Sequence, residues 1–183
     1  MSGRYLPPIL ARREIASNRF MTFVEEDIRD PAGSTYTYYQ LESKVDAVLV
    51  VPVLPDGRLV LERIYRHPYR RYFLEFPAGG IDPGESPLEA AARELEEETG
   101  WRAGALTVLG AYEAIPGMLR ARVHVVLADQ LVQTGTRSHE AMELIEVVEL
   151  SEAEAWAEAG REPASSFLTV ALLWYARSRS PGG

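Results

Sequence analysis

The sequence predicts an α/β protein, a succession of strands interrupted by two or three helices. Three observations carry this reading. Short runs rich in Val, Ile, Leu, Thr and Tyr are separated by turns containing Gly, Pro and Asp. The helix-start pattern Ser-x-x-Glu occurs at Ser86 and Glu89 and again at Ser151 and Glu154. Residues 79–101 then combine a capped helix with a density of acid unlike the rest of the chain.

Taken in order, residues 1–16 show no clear period and are expected to form an arm. Residues 20–27 and 35–41 have strand composition, separated by Asp30, Pro31 and Gly33. Residues 45–54 and 59–65 are expected to form a hairpin about Asp56 and Gly57, a pair that favours a tight turn. A short extended piece, 73–76, leads to Pro77, Ala78 and Gly79. Ser86 then caps a helix, with Pro87 at its first position, Glu89 completing a capping box and Gly100 ending it after roughly three to four turns. Residues 106–114, 122–128 and 144–150 are expected to be strands. Ser151 opens a helix ending near Gly160. Ser165 or Ser166 caps a last helix with a broad apolar stripe of Leu168, Leu172 and Tyr175 beside Val170, Ala171 and Trp174.

The bulk properties exclude several function classes. A chain of 183 residues, 46% apolar and 25% charged, fits one soluble globular domain with a sizeable core and a small N-terminal extension. Cysteine is absent, which removes disulfides, thiolate catalysis and Cys-based metal centres and agrees with a cytoplasmic location. The start has no basic-then-apolar leader. The most apolar run, 45–54, is too short to span a bilayer. His67, His124 and His139 are too scattered for a metal cluster, and His124, inside an apolar run, is expected to be structural. A pI near 5.0 argues against general nucleic-acid binding. The 18 arginines beside a single lysine, Lys44, point to no function.

Residues 79–101 hold seven acids (Asp82, Glu85, Glu89, Glu94, Glu96, Glu97 and Glu98) against Arg93 alone, a net −6 of the chain's −8. Glu94, Glu97 and Glu98 stand at i, i+3 and i+4 on one helix face, where like charges destabilise an isolated helix by about a few tenths of a kcal/mol per pair. Leu88, Ala91, Ala92, Leu95 and Thr99 cover another face, suited to packing on a sheet. A solvated acidic face explains many such runs. A site for a divalent cation and a phosphorylated ligand explains this one as well.

Gly79, Glu85, Arg93, Glu94, Glu97, Glu98 and Gly100, with apolar Leu95 and Trp101, resemble the Nudix box and match it at every fixed position. The resemblance implies an α/β/α sandwich with a mixed sheet and a small N-terminal β extension. It divides the chain into an arm and strands, 1–43, exchanged across a homodimer, and a hydrolase domain, 44–183. It also implies cleavage of a nucleoside diphosphate linked to another group.

Tyr65, Arg66 and His67, the run 74–79 and the pair Pro116 and Gly117 resemble the ADP-ribose pyrophosphatase branch. So do Glu140 and Glu143 ahead of 144–148. Each also has a plainer reading: a basic turn at Arg66, Arg70 and Arg71, an ordinary turn at Pro116, and surface acids at 140 and 143. GDP-mannose or another nucleotide sugar, and a non-catalytic nucleotide-sensing module, are the alternatives. Met118, Leu119, Arg120 and Ala121 depart from the branch, which commonly carries acids after its Pro-Gly.

The resemblance also assigns roles. Glu94 and Glu98 with the carbonyl of Ala78 hold Mg²⁺ or Mn²⁺, and Glu97 serves a shared or second ion, all hard oxygen donors. Arg93 orients a box carboxylate, and Glu85, Gly79 and Glu140 support the site. Glu143 is the first choice for general base, with Glu97 or Glu140 in reserve. Arg66 meets the diphosphate, Glu75 the nucleoside side, and Pro116, Gly117 and Leu119 the distal sugar.

Overall fold

The structure, a computed structural model, describes residues 4–135, 137–138 and 144–180. In chain order its strands are β1 (Ile9–Ser17), β2 (Met21–Arg29), β3 (Thr35–Ser43), β4 (Ala47–Pro52), β5 (Leu59–Arg66), β6 (Arg71–Glu75) and β7 (Ala78–Gly80). Helix α1 (Pro87–Thr99) follows, then β8 (Trp101–Arg102), β9 (Ala105–Ile115), β10 (Leu119–Asp129), β11 (Val132–Gln133) and β12 (Ile145–Leu150). Helices α2 (Glu152–Ala159) and α3 (Ser166–Ser178) complete the described chain. It divides into two compact units. One runs up to Asp46 and includes Glu113–Arg122; the other comprises Ala47–Tyr112 and the residues from Val123 onward.

In the first unit β1, β2 and β3 form an antiparallel meander, and Leu41 and Glu42 of β3 run parallel to Leu119 and Arg120. The turn between β2 and β3 is held by Asp30, which accepts from Gly33 N–H at 3.0 Å and, through its side chain, from Ser34 N–H at 2.8 Å. The second half of the arm expected over residues 1–16 is in fact strand β1. Its side chains are exposed almost throughout, so no apolar alternation marks it in the sequence. Register shifts at Ile9/Ala11 and Glu14/Ala16 blur the period further. Cross-strand charge pairs help to hold it instead: Arg13 reaches Glu25 at 2.5 Å and Asp27 at 2.7 Å, and Arg12 reaches Glu42 at 2.6 Å.

In the second unit β4 lies between two partners, parallel to β10 from Val123 to Ala128 and antiparallel to β7. A separate sheet has the order β12, β5, β6. The hairpin expected between β4 and β5 shrinks to one bridge, Val53 with Leu59, closed by Leu54 N–H to Arg58 carbonyl and Gly57 N–H to Leu54 carbonyl. The turn forms, but the strands part into different sheets. β4 is a nearly continuous buried apolar run and β5 is buried over its first half, and each takes neighbours on both edges, so neither is available to the other.

The caps of α1 are as the sequence indicates. Ser86 and Glu89 form the reciprocal capping box, and Gly100 ends the helix at φ 74°, a left-handed conformation that suits glycine. Inward-facing Ala90, Ala91 and Leu95 pack against Val48, Val50, Val60 and Val126. Leu88, expected on this face, is 37% exposed, and Ala90 takes its place because the small side chain lets the helix approach the strands. Helix α3 also packs on β4; Leu49 and Val51 alternate away from the α1 side, which places the sheet between helices as an α/β/α sandwich. Its buried side chains are Leu168, Ala171, Leu172 and Tyr175, and its N-cap is Ser165.

Leu95 is fully buried under α1. Leu95→Ala is expected to lower unfolding free energy by about 2–5 kcal/mol in urea titrations, whereas Ser86→Ala costs about 1 kcal/mol.

Candidate active site

Strand β7 brings the backbone of Ala78 and Gly79 beside the inner edge of α1. The registers Val48 with Gly79 and Leu49 with Ala78 fix this strand, and Val50 N–H donates to Pro77 carbonyl at 2.8 Å. Ala78 N–H donates to Glu98 Oε2 at 3.0 Å. A Cβ on Gly79 would collide with the Glu94 carboxylate, so glycine here permits a carboxylate to lie directly against the chain. The three acids predicted on one face are therefore unequal. Glu98 is 4% exposed and turned inward, Glu94 is half-buried, and the Glu97 side chain is 44% exposed.

Arg93 organises the outer part of this cluster. Its Nε and Nη2 donate to the two oxygens of Glu85 at 3.0 and 2.9 Å, a bidentate pair. Nη1 donates to Glu94 at 2.7 Å and reaches Glu97 at 3.4 Å, while Nη2 also donates to Gly80 carbonyl at 2.8 Å. The bonds to Glu85, and then Glu94, hold the guanidinium proton more tightly than usual. In return Arg93, with help from Asp82 N–H, holds the Glu85 carboxyl below the ordinary carboxylate range.

The donor set suits a hard divalent cation: two carboxylates, Glu94 and Glu98, flank the backbone of Ala78 and Gly79. Among the described residues no three acidic or histidine side chains converge to enclose an ion alone. Glu94 and Glu97 turn toward Arg93.

Arg66 and Glu75 meet some way along the β5–β6 pair. Arg66 Nε and Nη2 donate to Glu75 Oε2 at 3.1 and 2.5 Å, and Ser165 Oγ donates to Glu75 Oε1 at 2.8 Å. Glu75 is 4% exposed and forms the floor of a cavity of about 360 Å³ that Arg66, Tyr69, Ser165 and Phe167 also line. Burial, and then the Glu75 charge, push the Tyr112 hydroxyl up to about 12. Ser165, Phe167 and Tyr112 carry no functional signal in the sequence. Ser165 carried only a helix-cap signal, and nothing in the sequence near Tyr112 marks it.

Pro116, Gly117 and Leu119 belong to the first unit, where with Tyr38, Gln40 and Arg120 they line a hollow of about 260 Å³. The Tyr38 hydroxyl donates to Gly117 carbonyl. Arg120, with 81% of its side chain exposed, lies 3.8 Å from Glu42. His124 is half-buried in β10. Thr134 N–H and Ser138 N–H bond to the carbonyls of Gly100 and Glu97 at the end of α1. Glu140 and Glu143 lie outside the described residues, as does His139. No helix among the described residues is long and apolar enough to cross a membrane.

Residues 43–169 match the family described as NUDIX domain. The chain is 34% identical over 143 residues to the ADP-ribose pyrophosphatase of Bacillus subtilis (strain 168), spanning 78% of this chain and 77% of that one. It is 36% identical over 126 residues to the ADP compounds hydrolase NudE of Escherichia coli (strain K12), 68% of this chain and 67% of that. The ADP-sugar pyrophosphatase of Mus musculus is 35% identical over 134 residues, 68% of this chain but 61% of the longer mouse protein. A crystal structure of an ADP compounds hydrolase superposes with a TM-score of 0.86 at 28% identity, covering 97% of this chain and 96% of that one. The chain belongs to the Nudix family and is a Nudix hydrolase, an enzyme class that works with a divalent metal.

Gly79→Ala is expected to keep the fold while displacing Glu94, lowering turnover about 100-fold with an unchanged far-UV circular dichroism spectrum. Glu85 stabilises the folded chain fully above its unfolded pKa, about 4.3, and this contribution drains as pH falls through its lower folded value. The stability gap between wild type and Glu85→Gln in urea should therefore be smaller at pH 3 than at pH 7.

Proposed function

We propose that this enzyme hydrolyses the diphosphate bond of ADP-ribose, giving AMP and ribose 5-phosphate with Mg²⁺ as the working ion. The observation that carries this is the pairing of a buried carboxylate, Glu98, with the Ala78 backbone, with Glu94 laid against Gly79 beside it. The names borne by the bacterial and mouse relatives support ADP-ribose and related ADP compounds as the substrate class.

In this reading Glu94, Glu98 and the Ala78 carbonyl hold the ion, and Glu97, the outermost of the acids, shares it or serves a second. When bound, a divalent cation neutralises the diphosphate and lowers the pKa of water. Glu143 accepts a proton from the water that attacks phosphorus, and the bridging P–O bond breaks toward the leaving phosphate. Arg93 keeps Glu94 in place, Glu85 braces Arg93, and Gly79 leaves the space that Glu94 occupies. Glu140 supports the site. Arg66 meets the diphosphate by charge-assisted hydrogen bonds, Glu75 faces the nucleoside side, and Pro116, Gly117 and Leu119 face the distal sugar.

Residues 1–43 serve as a dimerisation subdomain, and the enzyme works as a cytoplasmic homodimer. Ile9, Leu10, Ile15, Phe20, Tyr36 and Tyr39 are all exposed on the first unit, and this number of uncovered apolar side chains supports the reading.

Product analysis with ADP-ribose, GDP-mannose, NADH and nucleoside triphosphates tests the substrate assignment; preference for GDP-mannose would overturn it. Glu98→Gln should abolish most turnover with the fold intact. Glu143→Gln should lower kcat about 10²–10⁴-fold with little change in metal affinity. If Glu97→Gln alone does so, the base lies in the box helix.

A further inference from the structure

The buried carboxylate of Glu75 is engaged at both oxygens by partners far apart in sequence. Oε2 accepts from Arg66, at the end of β5, and Oε1 accepts from Ser165, the residue that caps α3. Ser165 Oγ also accepts from Phe167 N–H at 3.2 Å. A hydroxyl has one hydrogen to give, and here it goes to Glu75 while an oxygen lone pair serves the cap. The Phe167 ring stands with its centroid 6.0 Å from the Arg66 guanidinium carbon, so the same end of α3 that holds Glu75 also stands beside Arg66. All four residues line the 360 Å³ cavity.

A carboxylate held at one oxygen only can rotate about its last bond. Held at both it is fixed, and so is the guanidinium that grips it by Nε and Nη2. The remaining donors of Arg66 then point in a set direction. We propose that Ser165 is a positioning residue that acts through Glu75 to orient Arg66 toward the substrate diphosphate. This rests on the reading of Arg66 as the diphosphate contact. The chemical consequence is that the N-terminus of α3 tunes affinity for the substrate, while the proton transfer from the attacking water proceeds independently of it.

Four single variants of the full chain separate the possibilities, each assayed for KM and kcat with ADP-ribose and Mg²⁺ and for thermal unfolding. Ser165→Ala loses donor and cap together, and KM should rise roughly 5- to 30-fold with kcat within about twofold, the loss of one hydrogen bond to a charged group. Ser165→Thr retains donor and cap and should restore KM. Ser165→Asp keeps an N-cap but replaces the donor with a second carboxylate, so its KM should rise at least as far as that of Ser165→Ala. A near-normal KM in Ser165→Asp would mean that only the cap matters and would overturn the proposal. Arg66→Ala is the reference. If it raises KM while Ser165→Ala does not, the positioning role fails and the diphosphate contact stands. If Arg66→Ala leaves KM unchanged, the diphosphate contact itself is wrong and the positioning role falls with it.

Discussion

The geometry of the box depends on one guanidinium. Helix α1 carries more negative charge than an isolated helix of its length would bear comfortably, and its outer acids have no reason of their own to stay in place. Arg93 supplies the reason. Its planar fork takes both oxygens of Glu85, the near oxygen of Glu94, part of Glu97 and the carbonyl of Gly80. The loop before the helix, the helix and strand β7 are thereby tied at a single point. A lysine ammonium, compact and without a fork, could not divide its donors among so many partners in fixed directions. The inner side of the same helix is fixed differently, by Ala90, Ala91 and Leu95 against the valines of the sheet. Between these two anchors Glu98 and Glu94 are held against the Ala78 and Gly79 backbone.

What could be read from the sequence is whatever is written in adjacent residues. The capping boxes at Ser86 and Ser151 and the stop at Gly100 appear where local chemistry places them, and the last cap falls on Ser165, one of the two adjacent serines that could supply it, because each needs only three or four neighbouring positions. Partner choice among strands is not local. The run before Pro55 and the run after Gly57 have the composition of a hairpin, and the turn between them forms. Yet both strands are wanted on both edges by others, and the ladder goes elsewhere. β1 is illegible in the sequence for the opposite reason: it buries too little to leave a periodic trace.

The same division runs through the site. Its acidic half is contiguous, so a single window of sequence contains nearly all of it. The Arg66 end is built from β5, β6 and α3, with ninety residues between Glu75 and the serine that holds it. No window of sequence contains both. Burial decides the matter there: a carboxylate with 4% exposure must find donors, and the fold delivers one from each side.

The register shifts in β1 bear on how this protein keeps company with others of its kind. An edge strand with an even row of unpaired amides and carbonyls is a template on which further strands stack without limit. β1 breaks its pairing with β2 twice within nine residues and carries Arg12, Arg13 and Glu14 in its centre. A strand laid along its outer side would meet a bent, charged border. Open-ended stacking of further strands along this edge is therefore disfavoured by the strand's own irregularity and charge.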